Sequence, residues 1–170
     1  MKDVKTLAPL IALAVCYALF FTYVLNSQGE LPARVASHFD IQGRPNGWMS
    51  RDVCIYFTLG LGIFMPAFIV GMMALTRWIP VNLVNLPNRE YWLAPERRKE
   101  TSALLLHFGL WFACMNVLFV TGLHWLIVQS NGPGQAPQLS TDGITFVAGG
   151  FLAGTIVWTI LLLLRFSQKN

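Results

Sequence analysis

Apolar positions in this chain gather into four long runs without a single Asp, Glu, Lys or Arg: residues 7–25, 53–75, 103–128 and 143–164. Crossing about 30 Å of hydrocarbon takes roughly 20 helical residues, and each run is long enough. A soluble core helix is shorter and interleaves polar residues to keep one face wet. The pattern therefore predicts an all-α integral membrane protein of four transmembrane helices, one domain spanning 1–170. The polar stretches between the runs are a loop at 26–52 and a loop with a helix extension at 76–102.

Local signals refine these elements. In the first loop, Val35, Ser37, Phe39 and Ile41 alternate with Ala36, His38 and Asp40, the period of a strand. Gly43, Pro45 and the Asn46-Gly47 pair then predict a reversal, Asn-Gly being a type I′ signal, so a small β-hairpin is expected. Ser50 reads as the N-cap of the second helix, and Asp52 suits the positive end of its dipole. Pro66 removes a backbone donor and predicts a kink in that helix. Pro80 and Pro87 interrupt the next loop. Pro95 reads as the first residue of a third helix running Pro95–Val128, with Glu96 in its first turn. That helix is longer than a bilayer is thick, so Arg97, Arg98 and Lys99 are expected in water or on anionic headgroups. Ser140, Thr141 or Asp142 caps the fourth helix. Gly150-x-x-x-Gly154 within it is a small-residue packing motif, for the internal bundle or for a homodimer.

Composition agrees with the pattern, since 55% hydrophobic and 12% charged residues over 170 positions leave too few polar groups to wet four such helices. The first run exceeds the apolar core of a secretory signal and lacks a convincing small-x-small cleavage site, so it reads as a retained helix. Cys16, Cys54 and Cys114 form no C-x-x-C pair and read as packing residues.

Charge gives the orientation. With four crossings, Lys2, Lys5, Arg77, Arg89, Arg97, Arg98, Lys99, Arg165 and Lys169 share one side. Only Arg34, Arg44 and Arg51 lie on the other. Basic residues stay cytoplasmic, so both termini are expected in the cytoplasm and loop 26–52 outside. The same bias accounts for the net charge of +4, and no nucleic-acid partner is implied. Trp48, Trp78, Trp92 and Trp125 fall near helix ends, where an indole prefers the headgroup region.

Candidate chemistry is sparse. His107 and His124 are the titratable groups with a claim on the membrane interior. On one helix they stand roughly 260° apart around the axis and about 25 Å apart along it, so they do not ligate one ion or haem. A transporter usually buries an acid or an arginine along its path, and these runs hold neither, which leaves transport a third reading. His38, Asp40 and His124 should meet near the outer surface, a weak candidate set for zinc or another transition metal, although one His-x-Asp is common and no ligand spacing is specific. A metal-dependent enzyme acting on an envelope substrate is therefore kept as the alternative function. No nucleophile elbow, zincin helix, phosphate loop or dinucleotide fingerprint occurs, and no cofactor is expected. The aromatic and amide-rich segment 82–98 could lie on headgroups through Tyr91 and Trp92 or meet a cytoplasmic partner.

Two stretches carry a resemblance. Leu31-Pro32-x-x-Val35-x-x-His38-Phe39-Asp40-x-x-Gly43-x-Pro45-Asn46-Gly47-Trp48-x-Ser50-Arg51 resembles the signature of a bacterial membrane family of unknown function, whose domain also forms the N-terminal part of SdpI-type immunity proteins. Leu86–Arg98, with Asn88, Tyr91, Trp92, Pro95, Arg97 and Arg98, resembles a motif that often follows in the same proteins. The resemblance implies a bacterial cytoplasmic-membrane protein that presents His38, Asp40, Gly43, Arg44, Pro45, Asn46 and Trp48 outside. It also implies a non-enzymatic binding, immunity or signalling role. The motif would act as a rigid cap, open to a peptide, lipid or protein partner or closing the bundle.

Overall fold

A computed structural model describes residues 4–134 and 136–168. Lys2 and Lys169 of the charge count lie outside the described residues, and the side chain of Lys5 is likewise not described. The chain runs α1 (Val4–Asn26), β1 (Arg34–Phe39), β2 (Pro45–Ser50), α2 (Arg51–Leu75), α3 (Arg89–Trp92), α4 (Arg98–Ser130) and α5 (Thr141–Ser167), with 3-10 turns at Ser27–Glu30 and Val81–Leu83. α1, α2, α4 and α5 are each long and apolar enough to cross a bilayer. They mark a multi-pass membrane protein.

α4 is the hub. The protein itself buries 44% of its most apolar window and none of that of α5. α1, α2 and α5 all pack on α4, and α5 presents most of its surface outward. Close approach depends on small residues, because lipid gives helices no hydrophobic reason to associate. Gly62 of α2 leaves room for the Phe20 ring of α1, and Gly109 of α4 receives Met73 of α2. Gly154 of α5 closes on Met115 of α4, whereas Gly150 faces open space, so the two glycines of the motif do different work.

Each end of the bundle has its own core. Phe20, Val24, Leu31, Val35, Ile55 and Val128 pack beneath the hairpin. Val84, Leu86, Trp92, Leu93, Leu105 and Phe166 pack at the opposite end. Ser50 caps α2 by accepting from Val53 N at 3.3 Å, and Ser140 caps α5 by accepting from Gly143 N at 3.0 Å. α2 continues through the buried Pro66. The cysteines are free; Cys54 and Cys114 are buried and Cys16 half-buried.

Three expectations need correction. The hairpin does not turn at Asn46-Gly47; it turns over Asp40–Arg44, and Asn46 and Gly47 lie within β2. The reason is local, since the Asp40 carboxylate accepts from Gln42 N and Arg44 N while Gly43 takes the left-handed conformation at φ +77°. The third long helix begins at Arg98, after a turn in which Ala94 O accepts from both Arg97 N and Arg98 N, and Pro95 and Glu96 precede it. Trp92 is no interface anchor, being 4% exposed, unlike Trp48, Trp78 and Trp125.

Candidate functional site

β1 and β2 pair antiparallel with Arg34 opposite Ser50 and Phe39 opposite Pro45. The register slips between Ala36 and His38 and again between His38 and Phe39, so the ribbon bulges around Ser37 and Asn46. The bulge permits Val35 and Ala36 both to be buried while His38 stays exposed. Gly47 sits against His38, where an added Cβ would meet His38 Cβ at 2.9 Å. Close approach explains that glycine.

The hairpin is fastened from outside its own sequence. Asn131, just past α4, accepts from Ala36 N at 2.8 Å and donates to Ala36 O at 3.0 Å, continuing the strand ladder with a side chain. Gln138 donates to Gln42 O at 2.9 Å, and Leu139 N donates to Gly43 O at 3.0 Å. These clamps hold the ribbon across the ends of α4 and α5.

Beneath it lies a cavity of about 250 Å³. Ser37, His38 and Phe39 of β1 form its roof, with Met49 of β2 and Leu139. Cys54, Phe57, Thr58 and Leu61 of α2 form one wall and Ile144 of α5 another, over a floor of Val120, Leu123, His124, Leu126 and Ile127 from α4. No Asp, Glu, Lys or Arg lines it.

His124 is 2% exposed and draws partners from two other segments. Nε2 stands 2.8 Å from Ser27 Oγ and Nδ1 stands 3.3 Å from Thr58 Oγ1, with the Tyr23 ring edge-on. Ser27 has one hydroxyl proton, which it donates to Val24 O at 3.0 Å. With that proton on Val24 O, Ser27 accepts from Nε2–H and Nδ1 turns a lone pair toward Thr58; with it turned to Nε2, the ring presents Nδ1–H to Thr58 instead.

The structure divides the motif residues. His38 lines the cavity, with Nδ1 3.1 Å from Ser37 Oγ. Asp40 does not line it; one carboxylate oxygen is occupied within its own turn. Gly43, Pro45 and Asn46 shape the ribbon, Arg44 is exposed, and Trp48 lies beside the Arg34 guanidinium at 5.3 Å. His38 and His124 do share the cavity, but Asp40 is not with them. Among the described residues no group of three His, Cys, Asp or Glu is placed to hold a metal ion. Thr58, Ser27, Asn131 and Gln138 escaped the sequence reading. Thr58 and His124 share the signal that could have found the site, a polar residue inside an otherwise apolar run.

The Leu86–Arg98 segment turns inward. Asn88, left-handed at φ 50°, donates to Phe166 O at 3.2 Å and Ser167 O at 3.0 Å. Trp92 Nε1 donates to Phe166 O at 2.8 Å, so both side chains satisfy carbonyls that the end of α5 leaves open. Arg97 stacks on Tyr91, Arg165 stands over Trp92, and Arg98 donates to Ile79 O. A polar recess of about 450 Å³ remains beside Asn85, Asn88, Arg89, Glu90 and Tyr91.

The class these features define is a four-helix membrane protein whose apolar cavity is roofed by a β-hairpin. Residues 7–70 match a family described as a domain of unknown function (DUF1648). The match takes in α1, the hairpin and most of α2, and leaves out the α4 floor of the cavity. No curated protein and no solved structure matches the chain.

Proposed function

We propose that this chain is a multi-pass protein of the bacterial cytoplasmic membrane, with both termini in the cytoplasm and the hairpin outside. In this reading it binds an amphipathic molecule beneath the hairpin in a non-enzymatic immunity or signalling role. The cavity carries the proposal, because it is mostly apolar, is lined by no Asp, Glu, Lys or Arg and holds the half-buried Thr58 beside the buried His124. Such a space suits holding a ligand better than transforming one. Its two histidines lack a carboxylate partner within the lining. Orientation rests on charge, since Arg34, Arg44 and Arg51 belong to the hairpin end and Arg77, Arg89, Arg97, Arg98 and Arg165 to the other. The resemblance of Leu31–Arg51 to SdpI-type immunity proteins supports the choice of role.

Native mass spectrometry of the chain in nanodiscs tests the binding. The wild type should retain an amphiphile from the membrane, and Leu123→Trp, which fills the cavity, should lose it at unchanged thermal stability. Equal retention by both, or none by either, overturns the reading.

A further inference from the structure

We infer that the molecule held beneath the hairpin is an uncharged lipid-like amphiphile whose polar end donates a hydrogen bond to His124 Nδ1. A long-chain alcohol or primary amide has this chemistry; a fatty-acid anion or a phosphorylated headgroup does not. The inference rests on the binding reading above and names the ligand class for the same site.

Three features converge on it. Fifteen residues line the cavity and none is Asp, Glu, Lys or Arg, so a buried cation would have no counter-charge there and a buried anion only an imidazole. The second feature is the proton count on His124. With its one proton given to Val24 O, which can only accept, Ser27 takes Nε2–H and leaves Nδ1 the acceptor. Its partner, Thr58 Oγ1, stands at 3.3 Å, the long end of hydrogen-bond distance. An incoming hydroxyl can therefore reach a better geometry than Thr58 offers. The third feature is size, since about 250 Å³ falls below the roughly 300–1,000 Å³ of a pocket that swallows a whole small molecule. Only one end of the ligand enters. Its apolar remainder can follow the exposed Phe57 and the half-buried Leu61 of α2 and Ile144 of α5, cavity-lining residues on helices apolar enough to cross a bilayer. A peptide segment fits less well, because every residue brings an N–H and a C=O that need partners, and the cavity offers few.

The test uses two photoreactive probes on the full chain in nanodiscs: a long-chain alcohol bearing a diazirine, and the carboxylic acid of the same chain length. The alcohol should label residues 54–61 and 120–127 about tenfold more than the acid does. His124→Phe should cut alcohol labelling by roughly three- to tenfold. Because that variant removes a buried group, Thr58→Val serves as the second measurement. It removes the hydroxyl facing Nδ1, and alcohol labelling should rise about twofold or more. Equal labelling by the acid, or no rise in Thr58→Val, overturns the ligand class. Labelling by neither probe also overturns it, and the outcome separates two failures. If the wild type still retains an amphiphile, only the class is wrong; if it retains none, the binding reading falls with it.

Discussion

The two ends of the bundle solve one problem with opposite results. Both must cover helix termini whose backbone groups have no helical partner. At the α3 end, Asn88 and Trp92 reach the last carbonyls of α5, Thr101 closes on Trp92 O, and the Trp92 and Phe166 rings meet edge-on. Trp92 caps and is itself core, while Asn88 caps from the exposed surface. At the hairpin end the clamps run along a rim: Asn131 holds the middle of β1, while Gln138 and Leu139 hold the turn. Clamping a rim leaves the space inside unfilled, and the cavity with His38 and His124 is that space. The difference teaches that a buried ring that caps, as Trp92 does, also fills the end it closes, whereas amide clamps on a ribbon's backbone hold a roof over a void.

Breaking the roof at its most constrained point should have the largest effect. Gly43→Ala places a Cβ 2.5 Å from Leu139 O and 2.7 Å from Gln138 Nε2, at a φ of +77°. The clash and the backbone strain together should cost about 3 kcal/mol, read as a lowered thermal midpoint in nanodiscs. Cavity binding should be lost with it. An unaltered midpoint would mean the turn is free to move off Leu139. Asn131→Leu comes next. It keeps side-chain bulk and strips both partners from Ala36, at about 2 kcal/mol. Amide exchange should quicken at Ala36 and stay unaltered around Trp92.

Where the sequence was legible and where it was not follows from distance along the chain. Four helices could be read because hydrocarbon crossing imposes a contiguous, charge-free run. A hairpin could be read because its alternation is local. Its turn was misplaced because Asn46-Gly47 is the stronger dipeptide signal, while the winning turn rests on the Asp40 carboxylate and on Leu139, far away in sequence. Trp92 was misread for the same reason, since Phe166 O lies 74 residues away and no local pattern announces it. His38 could be singled out as a motif residue, but the cavity it lines is built with Thr58, Leu123 and Ile144, three segments that nothing in the motif names.

The opposite end should tolerate more. Trp92→Phe keeps an aromatic ring against Phe166 and loses the Nε1–H bond to Phe166 O, at about 1 kcal/mol. Limited proteolysis should become faster near residues 162–167, and occupancy of the distant cavity should not change. A Trp92→Phe variant that emptied the cavity would show the two ends to be one cooperative unit.

The smallest expected effect is the sharpest on the motif itself. Asp40 is its one carboxylate, and a role in charge recognition would make the negative charge indispensable. The geometry assigns it a different task, because Oδ1 accepts from Gln42 N and Arg44 N and so forms the turn that brings Gly43 under Leu139. An amide oxygen can accept the same two bonds, so Asp40→Asn should cost no more than about 0.5 kcal/mol, whereas Asp40→Ala leaves both donors without it and should cost about 1–2 kcal/mol. Thermal midpoints of the two variants give the comparison directly, and amphiphile retention should follow stability in each. Asp40→Asn that is as stable as wild type but empties the cavity would assign the carboxylate to the ligand. The hairpin would then be a recognition surface as well as a roof.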